Sequence, residues 1–472
     1  MNEPNRSARE QGRMAGKPLE GKSDQEREQT GVLKAYFRTI KHYFGGWERL
    51  CEGMHDRRNP NMIIYPLPGL LFTGVLMFIF RLGSRRGVQA KLRGNGSGIG
   101  KFWTLFKVEN IPHGDTLNYG YQRVEVEEVQ EMICGSVEQL IRQKVLYRYR
   151  LLGVYYLVVI DGTGVVTFRE RHCAHCLKKV MSNGETLYYH PVLEAKLVTR
   201  NGFAFSLMTE FIENQDLSAD KQDCELKAFY RLAARIKRRF PRLPICLLMD
   251  GLYAGGPTFE VCTNNDWKYL IVLREDDLVN LHRSYAAVLP HVPQNHKQIS
   301  LGKHAQILQD YHWAENLAYS DDRKHTHSLN LIELSEKQPD AQGQITSLHY
   351  KWITNFTLTS YNVDLLAQGG RLRWKIENEG FNVQKNSELN LEHAYSQNPQ
   401  ASKVFYLLLQ LACIIFQLME KGSLLQEVFP TGWSSAKHLA FLLLEAWRNL
   451  TISSDDLLHL ADGQFQVRFN SS

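Results

Sequence analysis

The chain has 472 residues, enough for a large core and two or three structural units. Its 43% apolar, 22% charged and 11% aromatic content is that of a folded protein and excludes a disordered or low-complexity polymer. The formal charge of +6 suits a polyanionic partner without requiring one, so the placement of charge matters more than its sum.

Residues 1–30 are polar with almost no apolar anchor, which predicts a disordered tail with no secretory leader. Most of the eight cysteines lie inside apolar or helical patterns, as buried free thiols do, so a reducing, cytoplasmic compartment is expected. Residues 31–150 read as a helical N-terminal region, with helices over Val32–Cys51, Leu70–Leu92 and Val124–Tyr149. The apolar stretch Met62–Phe80 is broken by Pro66, Pro68 and Gly69. The remainder, Leu70–Arg81, at about 1.5 Å per residue cannot cross a hydrocarbon layer of roughly 30 Å. A buried helix is expected there, and no membrane partner. Gly94–Gly100 reads as a flexible loop. It ends in Gly100-Lys101, but Phe102 stands where a phosphate-binding loop needs Ser or Thr.

From 151 to 274 the pattern becomes α/β. Strands are expected at Val154–Asp161, Gly164–Phe168, Thr186–Val198, Phe203–Met208, Pro244–Met249 and Lys268–Leu273, with a helix over Lys221–Phe240. Residues 275–365 read as a β-rich insertion, 366–425 as the rest of the core with an apolar helix at Val404–Met419, and 426–472 as a helical C-terminal region. The fold class is therefore α/β: a mixed sheet flanked by helices, with a β-rich insertion and helical N- and C-terminal regions.

Chemistry concentrates in three carboxylates. Asp161 and Asp250 each close an apolar run and precede a glycine-containing loop, where α/β sheets place their chemistry. Glu377 lies four residues after Arg373 in a helical pattern, so the two share a face. An arginine there would keep a metal-binding glutamate ionised and touch a phosphate. Three carboxylates of this kind can hold a pair of Mg²⁺ ions, or Mn²⁺ in their place, against a phosphodiester. Glu379 rivals Glu377 but has Lys375 four residues earlier.

These segments resemble the DDE transposases of bacterial insertion sequences, whose core is ribonuclease-H-like. The resemblance runs from about Leu157 to Phe416. It rests on Ile160-Asp161-Gly-Thr-Gly164, on Asp250-Gly-Leu-Tyr-Ala-Gly-Gly256, and on Arg373-Trp-Lys-Ile-Glu377 followed by Phe381 and Lys385. The last is similar to the Tyr-Arg-Glu-Lys signature of one branch, in which a β-rich insertion precedes the Glu. Gly370 stands at the tyrosine position, and Gln384, with Lys385 next, at the lysine position. The resemblance implies Asp161, Asp250 and Glu377 as catalytic metal ligands and Arg373 and Lys385 as DNA contacts. It also implies a two-metal mechanism of cleavage and strand transfer, and double-stranded DNA partners: the element's terminal inverted repeats and a target, held by a homodimer. A ribonuclease-H-like nuclease that does not join DNA, and a DNA-binding protein with a decayed site, are the alternatives.

Two further features stand apart. Lys227, Arg231, Arg235 and Arg238 form a basic stripe at helical spacing, read either as a phosphate contact or as a solvated face. His172-Cys173-Ala-His175-Cys176, which His190 could join, reads either as a structural Zn²⁺ site or as a plain turn between two strands.

Overall fold

The computed structural model describes residues 23–94, 96–214, 221–302, 306–340 and 342–469. Runs rich in β-branched and aromatic residues become β1 (Tyr156–Phe168), β2 (Leu177–Val180), β3 (Thr186–Val198), β4 (Ala204–Phe211), β5 (Ile245–Met249) and β6 (Lys268–Val272). The insertion adds β7 (His296–Leu301), β8 (Ile307–Ser320), β9 (Thr326–Pro339) and β10 (Ile345–Thr354). All ten share one sheet, ordered β2-β3-β1-β5-β6-β10-β9-β8-β7, with β4 also on β3.

β1, β3 and β4 pair antiparallel, whereas β5 and β6 run parallel to β1. This is the ribonuclease-H-like mixed sheet expected from the sequence. All five residues of β5 are buried, as befits a central strand covered on both faces. β10 pairs antiparallel with β6 through Trp352, Ile353 and Thr354, so the 275–365 segment widens the core sheet instead of stacking on it.

The longer helices are α1 (Asp24–Phe44), α2 (Leu67–Ile79), α3 (Gly96–Phe106), α4 (Val126–Arg142), α5 (Glu225–Arg239), α6 (Val279–Val288), α7 (Val363–Arg371), α8 (Pro399–Lys421) and α9 (Ala436–Asn449). Residues 1–22 of the expected tail lie outside the described residues. The other end of that tail is helical: Ser23 and Glu26 form a reciprocal capping box that starts α1 at Asp24. Gly45, at φ 76°, then stops the helix well short of Cys51.

The expected loop at 94–100 is corrected too, because α3 begins at Gly96. Lys101 is buried in it and donates to the Trp447 and Leu450 carbonyls at 2.9 and 2.5 Å, closing the C-terminal end of α9. Burial lowers its ammonium to about 8. Helices from both chain ends thus pack together, with Phe72 against Trp447 at 5.8 Å between ring centroids. α8 is long and apolar enough to cross a membrane by composition, but it is mostly buried and packs on α2, α4 and β4.

Candidate active site

Asp161 does not end its strand. β1 continues to Phe168 because β3 keeps pairing with it, with a register shift between Gly164 and Val166. Only the β5 ladder stops there: its last partners are Val159 and Leu248. Continuing that register by two residues sets Asp161 level with Asp250, the first residue beyond β5. Neighbouring parallel strands lie about 4.8 Å apart, so the two aspartates project side by side from one end of the sheet. Asp161 Oδ1 accepts from the Gly162 amide at 2.9 Å, and Asp250 Oδ1 from the Leu252 amide at 3.0 Å.

Glu377 arrives from a segment that departs from α-helical geometry. After α7 the chain tightens into a 3₁₀ turn over Leu372–Trp374, widens into a π-helical turn over Ile376–Phe381, and resumes as α-helix over Asn382–Asn386. π-turns of this kind re-aim side chains and recur at functional sites. Arg373 is buried just ahead of the π-turn, its Nη1 3.6 Å from Asp161 Oδ2 and its guanidinium over the Trp374 ring. Its Nε has no hydrogen-bond partner.

The two signature departures have local causes. A Cβ on Gly370 would fall 2.5 Å from Nε1 of Trp352, a fully buried ring on β10, so no larger residue fits. Gly370→Ala is expected to cost about 1–3 kcal/mol through overpacking. An unchanged urea midpoint would refute that reading of the Trp352 contact. Gln384 is buried and donates to Gln410 Oε1 at 2.8 Å, which also accepts from Lys196 Nζ at 2.6 Å. The lysine charge expected near position 384 therefore faces elsewhere: Lys385 pairs with Glu392 at 2.8 Å.

The charges of Asp250 and Glu377 both act on Asp161. Burial pushes the Asp161 carboxyl up, Arg373 opposes the rise, and the charges of Asp250 and Glu377 add to it, leaving it at about 7. Among the described residues, the groups whose ligand atoms all lie within 4.8 Å of one another are His172/Cys173/Cys176/His190, His296/Asp310/His312 and Glu260/Asp321/His327. The Asp161/Asp250/Glu377 set is wider than these.

A fourth carboxylate escaped sequence reasoning. Glu225 opens α5, and a side chain on Gly162 would overlap its carboxylate. Burial and the charge of Asp250 raise its carboxyl, and Tyr253 Oη lies 3.5 Å from Oε2. Gly251 is backed in the same way by the carboxylate of Asp277. Glycine after each aspartate is what admits these neighbours, and no spacing in the sequence announces them.

The basic stripe needs correction. Arg231 donates to Glu210 and Asp223, each at 2.6 Å, and Arg235 to Glu210 at 2.7 Å and Glu127 at 2.8 Å. The neighbouring Arg239 reaches Glu131 and Glu138 of α4. The guanidinium groups of α5 bind it to α4 and to the end of β4, so Arg231 and Arg235 are held in ion pairs within the protein instead of forming a free basic stripe. Lys227 and Arg238 remain exposed. His172, Cys173 and Cys176 lie between β1 and β2, and His190 of β3 joins them.

No curated protein matches the chain. The transposase DDE domain family matches residues 153–415, a span that takes in Asp161, Asp250, Arg373 and Glu377.

Proposed function

This chain belongs to the transposase DDE domain family, and on that premise we propose that it cuts double-stranded DNA at the ends of a mobile element and joins the freed 3′-hydroxyl to a target. The observation that carries this reading is the shared electrostatic space of Asp161, Asp250 and Glu377. Membership in the family implies DNA binding and a divalent metal. The donor set fits that metal, being oxygen-only, anionic and drawn from two strands and one helical turn, which is the chemistry of Mg²⁺ and Mn²⁺ sites. When bound, such ions activate the attacking water or hydroxyl and neutralise charge on the leaving oxygen.

The chain's own residues do the rest. β1 and β5 fix two carboxylates on adjacent strands, so their separation is set by the sheet and not by loops. The π-turn aims the third. Arg373 offsets the crowded negative charge, its Nη1 lying 3.6 Å from Asp161 Oδ2. Asp161 must give up its proton before it can bind a cation, so cation binding should release about half a proton near pH 7, and more as the pH falls. We assign recognition of the element's terminal inverted repeats to the helical N-terminal region, and the holding of two ends to a homodimer.

The test uses duplexes carrying the inverted repeats that flank the gene, a supercoiled target plasmid and Mg²⁺. The expected result is nicking at the repeat followed by covalent joining to the plasmid. Cutting without joined product would favour the nuclease reading. Repeat binding in EDTA with no cutting in Mg²⁺ would favour a DNA-binding protein with a decayed site.

A further inference from the structure

The loop between β1 and β2 and strand β3 bring four metal-ligating side chains to one point, away from the carboxylate site. Cys173 Sγ lies 3.4 Å from Cys176 Sγ and 3.4 Å from His190 Nε2. Cys176 Sγ lies 3.4 Å from His190 Nε2 and 3.3 Å from His172 Nδ1. In a tetrahedral zinc site, bond lengths of about 2.3 Å to sulfur and about 2.0–2.1 Å to nitrogen place the ligand atoms roughly 3.3–3.8 Å apart. The observed spacings fall at the short end of that range. We propose that this chain binds one structural Zn²⁺ through His172, Cys173, Cys176 and His190.

The surroundings are arranged for such a site. Of the two histidines in the motif, His175 is spent on the Asn214 carbonyl at 2.8 Å, which leaves His172 as the ligand. Asn214 Nδ2 also donates to the Cys176 carbonyl at 3.1 Å, and Arg171 folds over the loop to the Cys173 and Ala174 carbonyls at 3.1 and 2.7 Å. With Nε2 of His190 turned to the sulfurs, its Nδ1 faces Glu213 Oε1 at 3.7 Å. Glu213 in turn holds Lys403 of α8 at 2.6 Å. A carboxylate behind a histidine ligand fixes its tautomer and raises its basicity.

Four protein ligands leave no open position, so the site is structural and not catalytic. Two thiolates and two neutral imidazoles bring the net charge with Zn²⁺ to zero, which suits a half-buried position. His190 pairs with Val166 across the β1–β3 ladder, five residues beyond Asp161 on β1. The ion therefore ties the outer end of the β-ribbon whose inner end carries Asp161.

The experiment measures metal on the full-length protein, purified without a metal-affinity resin from zinc-supplemented cells. About one zinc per chain is expected by elemental analysis. The Cys173→Ser/Cys176→Ser double variant should lose it, and Cys224→Ser, at an exposed cysteine, should keep it. Should the double variant fail to fold, Co²⁺ exchange into the wild-type protein decides. The intense visible bands of tetrahedral S₂N₂ cobalt are expected, with Cys173 and Cys176 protected from alkylation. Clearly substoichiometric zinc, with both thiols as reactive as Cys224, overturns the proposal. So does full zinc retention in the double variant.

Discussion

Asp161→Asn is expected to lower DNA cleavage by about 10³-fold, the upper range for removing one contact that acts in the transition state. Repeat binding in EDTA should stay within about threefold, because phosphate contacts elsewhere on the chain dominate affinity. Asn keeps the size and the Gly162 contact of Asp161 but cannot supply the negative charge that the proposed cation site calls for. Cleavage within tenfold of wild type would remove Asp161 from the catalytic set.

The same substitution should change the pH dependence of stability. The Asp161 carboxyl is raised in the folded protein, from 3.8 to about 7. Its contribution to stability is therefore fully present below about pH 4 and is lost as pH rises through about 7. In EDTA the wild-type melting temperature should fall from pH 5 to pH 8 more steeply than that of Asp161→Asn, and Mg²⁺ at pH 8 should restore it. Parallel slopes for the two proteins would contradict this assignment.

The second large effect is expected from Lys196→Ala, at about 3–5 kcal/mol of stability. Lys196 and Glu194 are both fully buried on β3, 3.5 Å apart. Glu194 is the cross-strand partner of Asp161 and accepts from Ser206 at 2.8 Å, Tyr406 at 2.9 Å and Thr209. The stem of Lys196 runs against Gly380, inside the π-turn that carries Glu377. Deleting the lysine leaves a carboxylate buried without its counter-charge and loosens the seat of that turn. Glu194→Gln combined with Lys196→Met should recover most of the loss, since replacing both partners avoids a stranded charge. Urea unfolding of the single and double variants gives the comparison. A loss below about 1 kcal/mol for Lys196→Ala would mean that the pair contributes little.

Much of the core was legible because strand and helix patterns are local. β3 matches its expected bounds, and β5 and β6 match to within a residue at each end. The apolar helix within α8 was legible too, whereas the α-helical face expected to join Arg373 and Glu377 is replaced by a 3₁₀ turn and a π-turn, and Arg373 pairs with Asp161 instead. The errors have separate causes. The capping box at Ser23 sits in a polar segment that has no apolar periodicity to mark a helix. Gly96 and Gly100 were read as loop residues, although packing of α3 under α9 outweighs their weak helix propensity. The stripe on α5 is a pattern of one helix, whereas most of its acidic partners sit on α4 and β4, outside any local window; only Asp223 lies close in the chain.

By itself, the sequence determined which residue types were available for chemistry: two aspartates after apolar runs, a glutamate beside an arginine, and a Cys-x-x-Cys flanked by histidines. Those follow from composition and short-range periodicity. The tertiary structure decided which of them meet. Sheet register sets Asp161 level with Asp250, and the π-turn that carries Glu377 is seated on Lys196. The same ladder carries His190 to a loop more than a dozen residues away in the chain. Proximity of this kind depends on strand pairing and packing between distant segments, and no local pattern encodes it.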